Sequence, residues 1–176
     1  MQVIIRQENP EDRPAVAEMI KSAYQDVGYS NHREQFMVER LRKSDAFIPR
    51  LSLVAEVDHE IAGHIMLTKI LIHNQEQSMV SLALAPLSVA PEFQGKGVGG
   101  KLVAEAHRLA KELGYRSVIV LGPAKYYPRF GYELTKKHGI ELPIDVREEN
   151  CMVISLVENG WSELTGRVEY SKEFFE

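Results

Sequence analysis

The sequence predicts an α/β fold, in which a mixed sheet is antiparallel at first, parallel between its fourth and fifth strands, and flanked by helices. Three apolar segments separated by short polar turns fill residues 51–89, a pattern that predicts an antiparallel meander. A glycine cluster, an amphipathic helix and a further strand come next. The order βαα-βββ-αβ-αβ contains no repeat and no linker, so we expect residues 1–176 to form a single domain.

The N-terminal segment predicts one strand and two helices. Residues 3–6 read as a strand, and Asn9 followed by Pro10 is typical of a helix start. A second helix is expected from a capping-box-like start at Asn31 and Glu34. The apolar residues assigned to these two helices are Val16, Met19, Ile20 and Ala23, then Phe36, Val38 and Leu41.

The remaining elements follow from apolar runs and turn signals. Strands are predicted over residues 51–57, 61–72 and 79–89. After the long helix, residues 117–121 are expected to return beside Val89 through a right-handed crossover. Late strands are predicted over residues 151–156 and 168–170.

Composition and charge exclude several classes of protein. The chain has 176 residues, of which 44% are hydrophobic and 26% charged, as in ordinary globular proteins. Its net charge of -4, without a basic block, argues against a nucleic-acid partner, and no apolar stretch is long enough to cross a membrane. The single cysteine, Cys151, suits a reducing cytoplasm, and the dispersed histidines predict no metal site.

The glycine cluster is the main functional signal. A strand, a Gly-rich turn and a helix in that order present free backbone N–H groups at a helix N-terminus, where phosphate binds well. Gly95, Gly97 and Gly100 satisfy the dinucleotide pattern G-x-G-x-x-G. The cluster also matches most of the nucleotide P-loop G-x-x-x-x-G-K-[ST], through Lys101. Gln94 begins a third match, to [QR]-x-x-G-x-[GA], the pyrophosphate loop of acyl-coenzyme A acyltransferases.

Two of these three patterns lack a required residue. Leu102 replaces the hydroxyl that would hold Mg²⁺ in a P-loop, which weighs against a nucleotide-binding enzyme of kinase type. The strand at residues 117–121 is followed by Gly122 and lacks the terminal acid that would bind a ribose in a dinucleotide site. The third pattern is complete, although glycines that only form a tight turn would look the same.

A second motif indicates which family the chain resembles. Residues 127–132, Tyr-Pro-Arg-Phe-Gly-Tyr, follow the glycine loop at the spacing found in the GNAT N-acetyltransferase superfamily. The sequence resembles that superfamily from end to end, and within it the bacterial YhbS-like branch. Features shared with the branch are the segments at residues 53–56 and 86–91 and the Val-Leu-Gly run at residues 120–122.

The resemblance implies a binding site for acetyl-coenzyme A. In the family the fourth and fifth strands splay into a V after a bulge, here expected at Pro86, and the pantetheine arm lies in the gap. The backbone of Leu87, Ser88 and Val89 would bind this arm and the reaction oxyanion. The residues implied to hold the pyrophosphate are Gln94, Gly95, Lys96, Gly97, Val98, Gly99 and Gly100.

The resemblance also assigns the remaining site residues. Tyr127 occupies the position of the acid that reprotonates the leaving thiolate, and packing on the cofactor is its alternative role. Arg129 would bind a coenzyme A phosphate or lie solvated at the surface.

The sequence departs from the family pattern at two places. Many members carry a glutamate on the fourth strand as general base, whereas residues 82–89 contain no acid. Deprotonation would then pass through Glu56, His64, His32 or water, although His64 in a strand is typical of a core histidine. Residues 122–124 read Gly-Pro-Ala instead of Gly-Asp-Pro, which alters the loop over the thiol.

These features predict transfer of an acetyl group from acetyl-coenzyme A to a primary amine by direct attack in a ternary complex. A non-catalytic acyl-coenzyme A binding or sensing module is the alternative. Residues 26–32 and 133–150 are expected to shape the acceptor pocket, where Asp26, Glu34 and Glu133 would suit a cationic amine. A homodimer through the late strands is expected by analogy alone.

Overall fold

The computed structural model describes residues 1–175 and places nine strands in one sheet. The strands are β1 (Ile4–Gln7), β2 (Ser52–Val57), β3 (Glu60–His73), β4 (Ser78–Val89), β5 (Ser117–Leu121), β6 (Glu133–Leu134), β7 (Ile140–Glu141), β8 (Cys151–Ser155) and β9 (Gly166–Glu169). The helices are α1 (Arg13–Tyr24), α2 (Glu34–Arg42) and α3 (Val98–Glu112).

The sheet has the mixed architecture that the sequence predicts. Its order is β1-β2-β3-β4-β5-β8-β6, and β9 pairs with both β3 and β7. Strands β1 to β4 are antiparallel, whereas β4 and β5 are parallel, as their connection through α3 requires. The predicted fold class is therefore confirmed.

The parallel pairing between β4 and β5 is short. Residues 82–84 of β4 pair with residues 118–120 of β5. The expectation that β5 returns beside Val89 is wrong, because the two strands have already separated before that residue. A β-bulge lies at the same point, since Ala85 and Pro86 together oppose the single residue Met66 of β3. The splayed V and its bulge thus occur at the predicted strand end.

The helices cover opposite faces of the sheet because side chains alternate along its strands. Helix α3 packs its apolar stripe on the face that carries Leu53 and Ile65. Helices α1 and α2 pack on the other face, against Val54 and Met66. The predicted stripe of α2 is wrong at Phe36, which is 46% exposed.

Two details of the elements differ from the sequence prediction. Asn9 caps a 3-10 turn, Pro10–Asp12, and α1 begins only after this turn. The region 133–150 contains the short strands β6 and β7, which the sequence pattern did not indicate. Strands of two residues are too short to show an alternating pattern, and β6 is held by its pairing with β8.

A buried ion pair anchors the end of α2 to the sheet. The Arg42 guanidinium bonds both carboxylate oxygens of Glu8, and the two side chains are only 7% and 2% exposed. Glu8 also accepts a hydrogen bond from the hydroxyl of Ser52 at 2.9 Å, and this hydroxyl lies 3.1 Å from Nε2 of His64. A charge buried in this way depends on its partner, because water cannot replace the lost interaction.

We expect Arg42→Met to lower the free energy of unfolding by about 3–5 kcal/mol, because it leaves the carboxylate of Glu8 buried without a cation. Urea unfolding at neutral pH measures the change. The matched control is Arg116→Met, which breaks an exposed ion pair with Glu163 and should cost less than about 1 kcal/mol. Equal losses in the two variants would contradict the structural role given to the buried pair.

His64 is a core histidine, as its place in a strand predicts. It is fully buried, and burial lowers the pKa of its imidazole to about 4. The folded state therefore resists protonation of His64 at pH values where the unfolded chain accepts a proton.

The stability of the protein should consequently fall as the solution is acidified. The pKa of His64 is about 4 when folded against 6.5 when unfolded, so up to about 3 kcal/mol is present above pH 6.5 and lost toward pH 4. Urea unfolding as a function of pH measures the loss, and the imidazole proton resonances report the titration of His64. A His64 signal that titrates near pH 6.5 in the folded protein would contradict this assignment.

Candidate functional site

The separation of β4 and β5 opens a cleft of about 740 Å³. Its walls come from the end of α1, the start of α2, the second half of β4, the glycine loop and residues 121–130. The residues of the predicted site that line it are Leu87, Ser88, Val89, Gln94, Gly95, Gly97, Val98, Gly99, Gly100, Tyr127 and Arg129. Lys96 lies outside the lining, with its ammonium 5.7 Å from the centre of the Phe93 ring.

The end of β4 turns unpaired backbone groups toward this cleft. Ala90 N–H donates to the carbonyl of Ala62 at 2.8 Å, so the backbone groups of Ser88, two residues earlier, also face β3. The N–H groups of Leu87 and Val89 consequently face the side on which β5 has departed. They are donors at the edge of an open gap.

The glycine loop supplies a second group of donors. The first hydrogen bond of α3 runs from Lys101 N–H to the carbonyl of Gly97 at 3.2 Å. Backbone N–H groups between residues 95 and 100 therefore have no backbone acceptor within the described chain. Gly97, which caps the helix, has a φ of +82°, a conformation that favours glycine.

Gln94 fastens this loop to the sheet. Its side-chain amide donates to the carbonyl of Val89 at 3.0 Å. The free donors of the loop and those of the strand end are thereby held at fixed positions along one cleft. Such a row of N–H groups at a helix N-terminus is suited to a phosphate or pyrophosphate.

Tyr127 stands in the wall of the cleft, in the 3-10 helix Tyr127–Phe130. Its side chain packs so closely on Gly122 that a Cβ there would lie 2.4 Å from the ring. Burial raises the pKa of its hydroxyl well above the ordinary value for tyrosine, so Tyr127 stays protonated. Within residues 1–175 no hydrogen bond joins this hydroxyl to another residue, which leaves it free to meet a ligand in the cleft.

The neighbouring aromatic residues fix the rim. The ring of Tyr126 lies 5.0 Å from that of Tyr127 and 5.3 Å from that of Phe130, both nearly edge-on. Arg129 covers the ring of Tyr126 at 4.6 Å, and its Nε donates to the Tyr126 carbonyl. The only lining cation among residues 1–175 is thus held at this rim.

The opposite wall contains residues that the sequence pattern did not single out. Tyr24, the last residue of α1, donates its hydroxyl to the carbonyl of Leu87 at 3.1 Å. Burial raises its pKa to about 12. Tyr29 and Met37 also line this wall. Tyr24 follows Ile20 by four residues on the buried stripe of α1, which could have indicated it, whereas Tyr29 lies in a loop without a pattern.

Glu34 is the one predicted acceptor-pocket acid that lines the cleft. Asp26 lies outside the lining, and Glu133 is paired with Lys137 at 3.1 Å.

The residues predicted as alternative general bases also lie outside the cleft. Glu56 accepts a hydrogen bond from Arg6 at 3.0 Å, and neither His64 nor His32 lines the cleft. Among the residues that the structure describes, the cleft therefore offers one carboxylate, and it comes from α2 rather than from β4.

Two kinds of feature are absent from residues 1–175. Within residues 1–175, no group of three or more His, Cys, Asp or Glu side chains could hold a metal ion. In the same range, every helix is too short or too polar to pass through a bilayer.

Comparison with known proteins gives the class to which this fold and cleft belong. Residues 49–134 match the family described as an acetyltransferase (GNAT) domain. The chain is 34% identical over 139 residues to the uncharacterized N-acetyltransferase YjhQ of Escherichia coli, covering 77% of each chain. It is 29% identical over 173 residues to the uncharacterized N-acetyltransferase YhbS of the same organism, covering 98% of each. The chain belongs to the GNAT N-acetyltransferase family.

Solved structures agree with this family. The crystal structure of YhbS from Escherichia coli, a complex with CoA, has a TM-score of 0.89 and 26% identity, covering 100% of this chain and 93% of that one. A GNAT acetyltransferase from Brucella melitensis in complex with acetyl-CoA has a TM-score of 0.79 and 31% identity, with 98% of each chain covered.

Proposed function

We propose that the protein transfers an acetyl group from acetyl-coenzyme A to a primary amine, by direct attack in a ternary complex. The observation that carries this proposal is that two groups of free N–H donors, at Leu87 and Val89 of β4 and at residues 95–100 before and in the first turn of α3, line one cleft. Two related proteins of known structure are complexes with CoA and acetyl-CoA, which supports the same ligand here.

These two groups of donors have separate functions. The N–H groups between residues 95 and 100, with the positive end of the α3 dipole, bind the pyrophosphate. The pantetheine arm lies in the gap beside β4, and the N–H of Leu87 or Val89 stabilises the oxyanion that forms on the thioester carbonyl. In this proposal Arg129, which lies at the rim on the Tyr126 ring, leaves that ring to bind a coenzyme A phosphate.

The reaction itself requires one new bond and one broken bond. The amine first gives up a proton, and its nitrogen then forms a bond to the thioester carbon. Collapse of the tetrahedral intermediate breaks the carbon–sulfur bond and yields an amide and a thiolate. The nitrogen loses a second proton, the thiolate gains one, and the net release is a single proton to solvent.

Tyr127 donates its hydroxyl proton toward the departing sulfur. Its raised pKa keeps the donor protonated wherever the amine is reactive. A thiolate formed in the same enclosed cleft is also less stable than in water, so its pKa rises with that of Tyr127. Because both pKa values rise together, burial does not disfavour proton transfer from Tyr127 to the thiolate.

Calorimetric titration with acetyl-coenzyme A tests the binding site. We expect Gly100→Ala to keep the affinity, because a Cβ there would meet only ordinary contacts, the nearest at 3.8 Å from Phe130. Gly100→Glu should lose at least about tenfold in affinity, since it places an anion in the first turn of α3. A wild type that folds and fails to bind acetyl-coenzyme A, or that binds ATP more tightly, would overturn the proposal.

Thiol release in the presence of a panel of primary amines tests catalysis. Tyr127→Phe should lower kcat by at least about a hundredfold and leave acetyl-coenzyme A binding intact, because only the proton donor is removed. Tyr126→Phe, the neighbouring ring, is the control and should retain activity. Equal rates in the wild type and Tyr127→Phe would leave Tyr127 a packing role, and binding without turnover of any amine would favour the non-catalytic sensor.

A further inference from the structure

One carboxylate oxygen of the cleft wall has no hydrogen-bond partner among residues 1–175. Glu34 accepts a hydrogen bond from the hydroxyl of Ser30 on its Oε1 oxygen, while its Oε2 is buried without a hydrogen-bond partner in the described chain. A buried carboxylate oxygen without a donor is unfavourable unless a ligand supplies one. Glu34 also lines the same cleft as Leu87 and Tyr127, so such a ligand would lie beside the proposed thioester site.

The charges of the cleft are separated. Among residues 1–175 its charged lining side chains are Glu34 and Arg129. Arg129 sits on Tyr126 at the rim near the glycine loop, whereas Glu34 belongs to the wall formed by α1 and α2. The Glu34 charge contributes to the raised pKa of Tyr24, whose hydroxyl bonds the carbonyl of Leu87. Glu34 therefore places a negative charge on the α2 side of the cleft, close to Tyr24 and the end of β4.

Helix stabilisation explains only part of this arrangement. Glu34 lies in the first turn of α2, where a negative charge interacts favourably with the helix dipole, and Ser30 fixes one of its oxygens. Neither interaction requires the second oxygen to be buried and unpaired. An exposed acid in the first turn would stabilise the helix equally well.

A second, apolar cavity adjoins the cleft on this side. We call it the apolar annex; it has a volume of about 220 Å³. Its lining residues are Met37, Ala83, Leu84, Ala85, Ile119, Leu121, Ile144, Tyr170, Phe174 and Phe175. The cleft and the annex share Met37, Leu84, Ala85 and Leu121, so they meet where β4 and β5 part.

Helix α2 connects the carboxylate to the annex. Met37 follows Glu34 by three residues and therefore lies on the same face of the helix, one turn along it. Arg40, a further three residues along, donates its Nε to the carbonyl of Glu173 at 3.1 Å. This bond ties α2 to the C-terminal segment, whose Tyr170 and Phe174 rings pack at 5.0 Å and form the far wall of the annex.

We propose that the acceptor is a primary amine with an apolar substituent, whose ammonium group contacts Glu34 and whose substituent occupies the apolar annex. This inference rests on the proposed acetyltransferase function and specifies its acceptor. The ammonium supplies the donor that Oε2 lacks and passes one proton to this carboxylate. The neutral nitrogen then attacks the thioester, and Glu34 returns the proton to solvent.

An acyl chain longer than acetyl is the other conceivable occupant of the annex. The acceptor fits better, because Met37 lines the annex and lies one helical turn from Glu34, whose second carboxylate oxygen is unpaired within the described chain. An acyl chain carries no group that could form a hydrogen bond or ion pair with this carboxylate.

Steady-state acetylation of two probe amines tests the inference. We expect kcat/KM to be at least about tenfold higher for 2-phenylethylamine than for ethanolamine, because only the former fills the annex. Its neutral analogue, 2-phenylethanol, should inhibit weakly, since it cannot pair with Glu34. Glu34→Gln should lower kcat/KM for 2-phenylethylamine by at least about tenfold. Glu39→Gln, the same change at an exposed site on α2, should leave it unchanged.

A second pair of variants tests the annex separately. Ile144→Asn places a polar group in its wall and should reduce the preference for 2-phenylethylamine by about tenfold. Val146→Asn changes an exposed residue of the same loop outside the annex and should not. Thermal unfolding of all four variants separates loss of fold from loss of recognition.

Acetyl-coenzyme A titration makes the possible failures distinguishable. Failure of the wild type to bind it would refute the proposed function itself. If it binds, three results would each refute only the acceptor assignment. These are equal kcat/KM for the two amines, wild-type kinetics in Glu34→Gln, and no turnover of either probe while another primary amine of the panel is acetylated. Faster transfer from octanoyl-coenzyme A than from acetyl-coenzyme A, abolished by Ile144→Asn, would assign the annex to the acyl chain instead.

Discussion

The position of the cleft depends on how many residues of β4 and β5 remain hydrogen-bonded to each other. Two adjacent parallel strands normally satisfy each other's backbone groups, yet here the pairing covers only residues 82–84 of β4. The bulge at Ala85 and Pro86 lies directly after the last pair and redirects the strand. Unpaired N–H groups in the middle of a sheet are unfavourable when they are dry, so the gap favours a ligand that offers acceptors along its length. The position of the cleft follows from this interruption of one ladder.

Helix α3 joins the stability of the core to the proposed ligand site. Its apolar stripe, which includes Leu102, Val103 and Ala106, is buried against the sheet, and this burial holds the helix in place. Its first turn presents free N–H groups toward the cleft. The same packing that stabilises the fold therefore fixes the direction of the helix dipole. The proposed pyrophosphate site is therefore built from backbone groups, while the side chains of Lys96 and Arg129 both lie against aromatic rings.

The sequence predicted the parts of the fold that depend on local patterns. The glycine loop, the meander and the aromatic motif after β5 were indicated by spacing, because turns and helix starts need particular residues at particular positions. The end of the β4–β5 pairing near Pro86 was expected only from the resemblance to the family, since register between distant strands depends on the whole sheet and no local pattern shows it. Phe36 was misplaced because the period of α2 alone does not show which of its faces the sheet covers. Of the acids near the N-terminal helices, only the structure distinguished Glu34, since burial and an unpaired oxygen are properties of the packed molecule.

Helix α2 carries a charged residue with a distinct role at each end, which its amino-acid composition does not indicate. It has nine residues and only two of them, Val38 and Leu41, are buried apolar side chains, so its own packing fixes it weakly. Its last residue, Arg42, compensates by binding the buried carboxylate of Glu8, the residue that follows β1. At its other end Glu34 keeps an oxygen unpaired in the cleft. One ion pair is complete and structural, whereas the second carboxylate has no cation in the described chain. Because the ion pair at Arg42 anchors one end of α2, the carboxylate of Glu34 at the other end is held in position for the ammonium group that we propose as its partner.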